Sequence, residues 1–427
     1  MRDSLIFRVR KHRTLTNAWL AIQRNGRLSK SIDTRTEIKQ FAEDAPRHLD
    51  RIQTQLRKNT FIFLPAKGIK AKKKGKLGFR PLVVAPVESR IVQRAVHDVL
   101  LQVPGIEALV RTPYSFGGIK KHKDDELSSV PAAIKAVLES IGNGGAYVVR
   151  SDITKFFTRI PKSEVRKIIS AVVTDTDFLN LFDSAVATEL SNMDQLRGDA
   201  SAFPIEDIGV SQGNSLSPLL GNLLLRDFDQ EMNSLPGIRC IRFIDDFILL
   251  GPNKQVTLKA FKKAQSLLGQ WNMTLATDKT EHGSSQQRFE FLGIEFNNGF
   301  LRPSSVARAR FLASAKALLQ NAEITLLQYK VSAVIERRSA LINTLVTLSE
   351  TISGWGAHYK FCNDSQCLRK IDDEISSLIQ NYFGTFRSVR NAMGTSSTWD
   401  LLGIQSLDKL EKQSFMWPKQ NAKSLVK

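Results

Sequence analysis

The residues with the clearest chemical potential are two adjacent aspartates, Asp245 and Asp246, which lie between two apolar segments, 240–244 and 247–250. Aspartate has a poor strand propensity and like charges repel, so the pair is unfavourable unless a cation offsets its charge. Mg²⁺ is held by carboxylates and substrate phosphates. Two such ions about 3.5–4 Å apart stabilise the attacking and leaving oxygens of a phosphoryl displacement. We interpret the pair as a metal site for that chemistry; the alternative is a plain Asp-Asp turn at a hairpin tip.

The elements around this pair should bring a third carboxylate, Asp152, to the same place. Residues 146–153 are typical of a strand, residues 239–250 of two strands bent at the aspartate pair, and residues 288–296 of another strand. The spacing of apolar residues predicts helices over 131–141, 163–173, 217–232 and 256–271. This order is close to that of a split βαβ, ferredoxin-like sheet. The three carboxylates would then converge on one sheet edge.

Basic segments flank this region on both sides. Residues 1–30 contain eight Lys or Arg and one acid, Asp3. Residues 65–80 contain seven cations and no acid, and their glycines predict a mobile basic loop between short strands. The pattern beyond Pro303 is entirely helical, and residues 301–427 hold 17 Lys or Arg against 10 acids.

The composition indicates a folded, strongly basic protein. The 427 residues are 42% hydrophobic and 24% charged, which excludes wholesale disorder and predicts about two to four domains or subdomains. Lys and Arg number 61 against 42 Asp and Glu, a net charge of +19 that suits a polyanionic partner, most often nucleic acid. The alternative is a protein that is merely basic.

The few cysteines favour a reducing compartment. Cys240, Cys362 and Cys367 cannot form a disulfide framework. Cys362 and Cys367 lie near His358 but lack a fourth ligand for a metal. The sequence shows neither a signal-peptide run nor an apolar stretch of about 18 residues, so we expect a cytoplasmic protein without a membrane span.

A series of short motifs between residues 61 and 300 resembles those of reverse transcriptases, with a thumb-like motif downstream. In chain order they are Gly78-Phe-Arg-Pro-Leu82, Glu88-Ser-Arg-Ile-Val-Gln93, Arg150-Ser-Asp-Ile-Thr-Lys-Phe-Phe157, Gly209-Val-Ser-Gln-Gly-Asn-Ser-Leu-Ser-Pro-Leu-Leu-Gly-Asn222, Phe243-Ile-Asp-Asp246, Leu275-Ala-Thr-Asp-Lys-Thr280, Phe291-Leu-Gly293 and Ser353-Gly-Trp355. Each motif alone is weak, but their correct order makes chance an unlikely explanation.

The resemblance implies an α+β fold, a right-hand polymerase with a ferredoxin-like palm, fingers and a helical thumb. The domains implied are a basic N-terminal extension over 1–60, fingers over 61–130, a palm over 131–302 with an insertion at 174–208, and a helical thumb with a C-terminal tail over 303–427.

The resemblance also implies roles for the acidic residues. Asp152 and Asp245 would hold two Mg²⁺ ions, with Mn²⁺ as a possible substitute, Asp246 would complete the site, and the Ile153 carbonyl would help to hold the ion on the nucleotide side. Lys279 would be the general acid that protonates the leaving pyrophosphate. The alternative for Lys279 is an ordinary surface lysine.

Four further residues would bind the incoming dNTP. Phe157 would lie below the sugar and exclude a 2′-OH, although it could also be a core aromatic. Arg80 and Lys76 would clamp the triphosphate, Arg as a bidentate fork and Lys as a point charge; the alternative for the lysine run is a solvated loop. Gln212 would pack near the nucleotide.

The remaining site residues would contact the nucleic acid. Gly213 would permit close approach of the backbone to the template–primer. Phe291, Leu292 and Gly293 would form a turn that grips the primer end. The basic helical region would follow the duplex mainly through its phosphates.

Several features resemble a stand-alone bacterial enzyme of the defence-associated ("unknown group") set. No His/Cys cluster of an endonuclease is found, Ser217-Pro218 replaces the Ser-Gln of diversity-generating enzymes, and Ser115-Phe-Gly-Gly-Ile119 departs from the intron-enzyme pattern. The Asp-Asp motif begins with Phe243 rather than the usual Tyr. The resemblance implies a structured non-coding RNA template, an RNA–DNA duplex product and a role against phage; it does not identify a protein partner.

Two alternatives remain open at this point. One is a group II intron-type maturase or mobility reverse transcriptase. The other belongs to a different class, an RNA-binding scaffold whose polymerase site is idle, which the basic N-terminus would suit.

Overall fold

The computed structural model describes residues 4–72, 78–121, 125–127 and 129–407. The chain divides into two compact units, Met1–Leu292 and Gly293–Lys427.

The first unit contains most of the strands and the predicted site. Its helices are α1 Leu5–Val9, α2 His12–Arg27, α3 Ile32–Glu43, α4 Ala45–Arg57, α5 Val87–Leu100, α6 Pro104–Val110, α7 Ser129–Gly142, α8 Lys162–Ser170, α9 Thr176–Val186, α10 Met193–Leu196, α11 Ser217–Ser234 and α12 Lys254–Gly269. Its strands are β1 Lys67–Lys72, β2 Phe79–Val84, β3 Tyr147–Thr154, β4 Arg239–Phe243, β5 Asp246–Gly251, β6 Thr274–Leu275, β7 Glu281–Ser284 and β8 Phe289–Phe291.

The central sheet has the split βαβ arrangement expected from the sequence, except that β6 and β7 take the place beside β3 that the sequence suggested for residues 288–296. Its strands are arranged β4-β5-β3-β6, and β7 also pairs with β3. All pairings are antiparallel, and the register sets Asp152 opposite Asp246. Helix α12 packs against β3 and β5, and α11 packs against β4. The fold class is therefore α+β with a ferredoxin-like palm sheet, as expected for a right-hand polymerase.

Local sequence explains where the helices behind this sheet begin. Helix α11 carries Pro218 in its first turn, where the missing N–H removes no helical hydrogen bond. Helix α12 begins after Asn253, whose side-chain oxygen accepts a hydrogen bond from the Val256 N–H at 3.0 Å. Both helices start within one or two residues of their predicted positions.

The N-terminal segment is part of the core of the first unit. Helices α1 to α4 bury residues such as Leu15, Trp19 and Ile52, which belong to the same hydrophobic cluster as α5 and the palm. Helix α2 packs directly against α5. The segment predicted as a basic extension is therefore folded within this unit, and its charges lie on the outer faces of these helices.

Strands β1 and β2 form an antiparallel hairpin that pairs Ala71 with Arg80. The tip of the predicted basic loop, residues 73–77, lies outside the described residues. Strand β2 also meets the palm, because the Val83 N–H donates to the Gln212 carbonyl at 3.1 Å.

The second unit begins with a hairpin and continues as a helical bundle. Its strands are β9 Ile294–Asn297 and β10 Phe300–Pro303, and its helices are α13 Ser305–Ser332, α14 Leu341–Tyr359, α15 Ser365–Met393 and α16 Thr398–Leu402. Asn298 and Gly299 connect the strands with φ of 42° and 85°, the turn predicted for this pair. Buried Phe311, Leu319, Tyr382 and Phe386 form part of the bundle core.

One predicted strand is wrong in its extent. The sequence suggested a continuous strand over 288–296, but β8 ends at Phe291 and β9 begins at Ile294. Leu292 and Gly293 interrupt the strand because both have positive φ, 52° and 76°. No described helix combines the length and the apolar character that crossing a membrane requires.

Candidate active site

The three predicted metal-binding carboxylates lie together at one edge of the palm sheet. Asp152 is near the end of β3, Asp245 lies in the β4–β5 turn and Asp246 begins β5. One carboxylate oxygen from each lies within 4.8 Å of the others. The Ile153 N–H donates to the Asp245 carbonyl at 3.0 Å, which fixes the turn against the neighbouring strand. Strand pairing therefore brings together acids that are 93 residues apart in the sequence.

The electrostatics of this cluster favour a bound cation. Burial raises the pKa of Asp245, and the negative charge of Asp152 raises it further. Burial likewise raises the pKa of Asp246 to about 7, with the charges of Asp152 and Asp245 adding to the effect. The cluster therefore resists carrying its full negative charge without a cation. A set of carboxylate oxygens without thiol or imidazole suits Mg²⁺ or Mn²⁺.

Lys279 supplies positive charge to this cluster. It ends a short 3₁₀ turn, Thr277–Lys279, and its ammonium contacts the Asp152 carboxylate. The Ala276 N–H donates to the Asp152 carbonyl at 2.9 Å and holds this turn beside β3. The structure thus places Lys279 at the carboxylates rather than on a remote surface, and its role as general acid stays a prediction.

The two phenylalanines after β3 have different environments. Lys155, at φ 52°, begins the 3₁₀ turn that contains both. Phe156 is 2% exposed, and its ring lies against Gly221, where an added Cβ would come within 2.7 Å. Phe157 is half-buried, with its ring centroid 5.2 Å from that of Phe156. Phe156 is the more buried of the pair, and Phe157 packs partly against the same core; its place below the sugar of a nucleotide stays a prediction.

Gln212 and Gly213 form the segment that meets β2. Gly213 has φ 123°, and a Cβ there would lie 2.7 Å from the Val83 carbonyl oxygen. The requirement for glycine thus arises from the protein's own backbone, whereas the sequence suggested an approach to the template–primer. Gly213 is exposed and Gln212 half-buried, so their predicted contacts with nucleic acid and nucleotide stay open to test.

Of the two predicted triphosphate-binding cations, one lies among the described residues and the other does not. Arg80 lies on β2, and its positive charge counteracts the rise in the pKa of Asp245. The structure therefore places Arg80 within electrostatic range of the carboxylates. Lys76 lies outside the described residues.

The predicted primer-gripping residues are not equally accessible. Phe291 is fully buried, so its ring belongs to the core and is not available to touch a primer. Leu292 is half-buried and Gly293 is exposed. The turn itself is present, as the consecutive positive φ angles show, and contact with a primer stays a prediction.

A buried charged network next to the site was not predicted. Arg242, which precedes the aspartate pair, is 1% exposed, as is Asp229 of α11. The Arg242 Nε and Nη2 atoms donate to the two Asp229 carboxylate oxygens at 2.8 and 2.6 Å. The signal in the sequence was a lone arginine in the apolar strand Cys240 to Ile244; its partner Asp229 is one of several charged residues of α11, so the sequence alone did not single it out.

The fold and the acidic site define a nucleotidyl-transferring polymerase. The family model for reverse transcriptase (RNA-dependent DNA polymerase) matches residues 71–296, which is more than half of the 427 residues. The chain therefore belongs to the reverse transcriptase family and is an RNA-directed DNA polymerase. The matched region contains all three carboxylates, Arg80, Phe157 and Lys279.

Two curated proteins are similar in sequence. Protein YkfC of Escherichia coli is 24% identical over 305 residues, covering 63% of this chain and 76% of that protein. An uncharacterised 91 kDa protein in cob intron of Schizosaccharomyces pombe is 25% identical over 187 residues, covering 44% of this chain and 21% of that protein. The chain thus spans about three quarters of the first relative and a fifth of the second.

Two solved structures are also similar. A partial Cas6-RT-Cas1–Cas2 complex has 21% identity and a TM-score of 0.36, covering 62% of this chain and 43% of that one. Apo telomerase from Candida tropicalis has 14% identity and a TM-score of 0.41, covering 57% of this chain and 55% of that one. The chain thus spans about half the length of these structures or less.

Proposed function

We propose that this reverse transcriptase copies a dedicated, structured non-coding RNA into complementary DNA, and that it acts in defence against phage. The polymerase chemistry is supported by one observation, the cluster of Asp152, Asp245 and Asp246, in which one carboxylate oxygen of each residue lies within 4.8 Å of the others. The net charge of +19 supports a polyanionic partner. The defence role rests on the resemblance of the motifs to the defence-associated set and is therefore a matter for experiment.

In the proposed mechanism the three carboxylates would hold two divalent cations, Mg²⁺ by preference, with help from the Ile153 carbonyl. When bound, the cations would stabilise charge on the attacking and leaving oxygens of an in-line phosphoryl displacement. Arg80 holds the triphosphate of the dNTP, together with Lys76. Lys279, whose ammonium already contacts Asp152, donates a proton to the leaving pyrophosphate.

The other predicted residues select and position the substrates. The half-buried ring of Phe157 excludes the 2′-OH of a ribonucleotide. Gln212 packs near the nucleotide and helps to position it. The template–primer is contacted by the backbone at Gly213 and by the turn at Leu292 and Gly293. We assign fingers to 61–130, palm to 131–302 and thumb to 303–427, with a cytoplasmic location and an RNA–DNA duplex as product.

The deciding experiment is sequencing of all nucleic acid bound to the purified protein, expressed with its native flanking DNA. Wild type is compared with the Asp245→Ala, Asp246→Ala double variant. A matched control is Asp372→Ala, Asp373→Ala, which removes an adjacent and exposed aspartate pair of α15. We expect one abundant RNA with all three proteins, and complementary DNA with wild type and control but not with the active-site variant.

Other outcomes separate the parts of the proposal. Many unrelated RNAs with complementary DNA would retain the polymerase and exclude a dedicated template. One RNA without DNA in any protein would favour a scaffold with an idle site. Phage plating with the same variants tests defence, which is excluded if the active-site variant protects as well as wild type.

A second candidate is a group II intron-type maturase or mobility enzyme. The specific observation in its favour is the similarity to a relative named for its place in cob intron. This candidate predicts that the bound RNA is an intron flanked by exons and that splicing needs the protein. It is excluded if the bound RNA has no exon junctions.

A further inference from the structure

The turn that carries Asp245 contains an unusual backbone conformation. Ile244, the residue before it, has φ 61°. A β-branched residue in the left-handed region is rare, because its side chain crowds the backbone, and it persists only where its surroundings impose the conformation. The local sequence would not choose this turn, so some other part of the molecule must hold it.

The half-buried side chain of Ile244 packs against two glycines. A Cβ added to Gly117 would lie 2.7 Å from Ile244 Cγ1 and 2.8 Å from its backbone nitrogen. A Cβ added to Gly118 would lie 3.1 Å from Ile244 Cδ1. The glycine pair therefore provides a surface on which the isoleucine lies in its left-handed conformation.

The carbonyl of Ile244 is held by the guanidinium of Arg242. The Arg242 Nη1 atom donates to that carbonyl at 2.9 Å and to the Asn222 Oδ1 atom at 3.0 Å. The remaining nitrogens of the guanidinium are committed to Asp229. One planar group therefore links helix α11 to the turn, and only a guanidinium offers enough donors in fixed directions for this.

The network closes through the segment that contains the glycines. Asn222 Nδ2 donates to the Gly117 carbonyl at 2.9 Å, and Ser115 Oγ donates to Asn222 Oδ1 at 3.2 Å. The Phe116 N–H donates to the Arg242 carbonyl at 3.0 Å. The same arginine and asparagine thus position both the turn and the surface against which it packs.

We propose that Arg242 is a positioning residue for catalysis, which holds the Ile244 carbonyl so that Asp245 and Asp246 are directed at Asp152. The effect acts through the carboxylates and not through contact with substrate. The proposal rests on the polymerase function of the three carboxylates. An ordinary buried ion pair would affect folding, whereas this one also sets the geometry with which metal ions are bound.

The test measures primer extension by Arg242→Lys as a function of Mg²⁺ and Mn²⁺. Lysine keeps the charge opposite Asp229 but cannot hold Asp229, Asn222 and the Ile244 carbonyl together. Since a displacement of about 1 Å can reduce a rate about 100-fold, we expect kcat to fall about 100-fold with little change in KM for dNTP. We also expect a higher Mg²⁺ requirement and partial recovery of kcat in Mn²⁺.

Two further variants separate positioning from folding. Replacing both buried charges by apolar groups in Asp229→Leu, Arg242→Met avoids an unpaired charge and should leave the chain folded, yet it should lose kcat as Arg242→Lys does. Asn222→Ala keeps the ion pair and should lose kcat to a smaller extent. The matched control is Arg94→Lys, in a partly buried ion pair of α5 with Asp98 that does not touch the turn; its kcat should stay unchanged.

The proposal is overturned if Arg242→Lys or the apolar pair, folded by circular dichroism, retains wild-type kcat and Mg²⁺ dependence. A lower melting temperature with unchanged kinetics would assign the network a structural role only. If wild type itself does not extend primers while Asp245→Ala behaves identically, the polymerase function fails instead, and the two failures are thus distinguished.

Discussion

Two hairpin turns of this protein both contain a residue other than glycine at positive φ, and they differ in how well that residue tolerates it. In the second unit, Asn298 and Gly299 turn at φ of 42° and 85°, angles that asparagine and glycine accept readily. In the first unit, Ile244 turns at φ 61°, an angle that isoleucine resists. The Asn298–Gly299 turn has residues that favour its angles, and Asn363 Nδ2 donates to the Gly299 carbonyl at 3.0 Å. The turn at Ile244 has a residue that disfavours its angle and is held by Arg242 and its partners.

The difference shows where precision is required. A connecting turn can tolerate movement of its tip, so residues that favour its angles contribute much of what it needs. The catalytic turn must hold Asp245 and Asp246 against Asp152 despite their mutual repulsion, so its conformation is imposed by contacts from elsewhere in the fold. A strained turn at a functional site, held by its surroundings, is the expected arrangement.

The largest effect should come from removing a carboxylate that the catalytic turn presents. Asp245→Ala should reduce kcat for primer extension about 1,000-fold or more, since several kcal/mol of charge stabilisation would be lost. Asn298→Ala, in the other turn, should leave kcat unchanged. A loss of less than tenfold in Asp245→Ala would show that the catalytic turn has no special role.

The next effect concerns the surface beneath Ile244. Gly117→Ala places a methyl group 2.7–2.8 Å from Ile244 atoms, so the turn or the glycine segment must move. We expect kcat to fall about 10–100-fold and stability to fall by about 1–3 kcal/mol. Gly142→Ala is the control, because nothing lies within 4 Å of its added Cβ. Equal activity of both variants would mean that the turn does not depend on this surface.

A smaller effect should appear in the pH dependence of stability. The folded protein raises the pKa of Asp246 to about 7, above the ordinary value of about 4 that the unfolded chain would have. Between these values the folded state binds more protons, so stability decreases as pH rises from 4 to 7.

Thermal and urea unfolding in EDTA measure this effect. We expect wild type to lose about 1–2 kcal/mol more than Asp246→Asn between pH 4.5 and 8, less than the full shift would give because solvent screens the cluster. Mg²⁺ should restore the loss in wild type at pH 8. If the free energy of unfolding of both proteins in EDTA changed equally with pH, the repulsion among the three carboxylates would be contradicted.

The smallest effect should come from the relaxed turn. Gly299→Ala adds a side chain that meets nothing within 4 Å but must adopt φ 85°, which costs about 1–2 kcal/mol. Stability of the second unit should fall by that amount, as followed by urea unfolding, while kcat stays at the wild-type value. A large loss of kcat would show that both turns are tied to catalysis and would remove the contrast between them.

Much of this architecture was predictable because its signals are local. The spacing of apolar residues, Ser217-Pro218 and Asn298-Gly299 indicated four helices of the palm region, the strands at 146–153 and 239–250 and the hairpin turn within a few residues of their observed limits. The convergence of Asp152 with the aspartate pair followed from the order of those elements. Such patterns depend on neighbours in the sequence and so are visible in it.

The remaining features depend on contacts between distant segments. The left-handed Ile244 violates local preference, and the groups that impose it lie on α11 and near Gly117, more than 100 residues away from the turn in the latter case. The sequence suggested that Gly213 is a glycine because nucleic acid approaches it. The contact with the Val83 carbonyl could not be seen in the sequence, because Val83 belongs to a strand far back in the chain. Burial of Phe291 likewise could not be distinguished from exposure in a short apolar motif.

The buried network around Arg242 has a consequence for the order in which the protein folds. The β4–β5 strands are adjacent in sequence and can pair early, but their turn has no local reason to adopt its final shape. That shape requires the segment at Ser115 to Gly118 and helix α11, and closing such long loops is slow compared with forming a hairpin. We therefore expect the arrangement of the three carboxylates to form late in folding. A chain can then have its secondary structure well before it can bind metal ions.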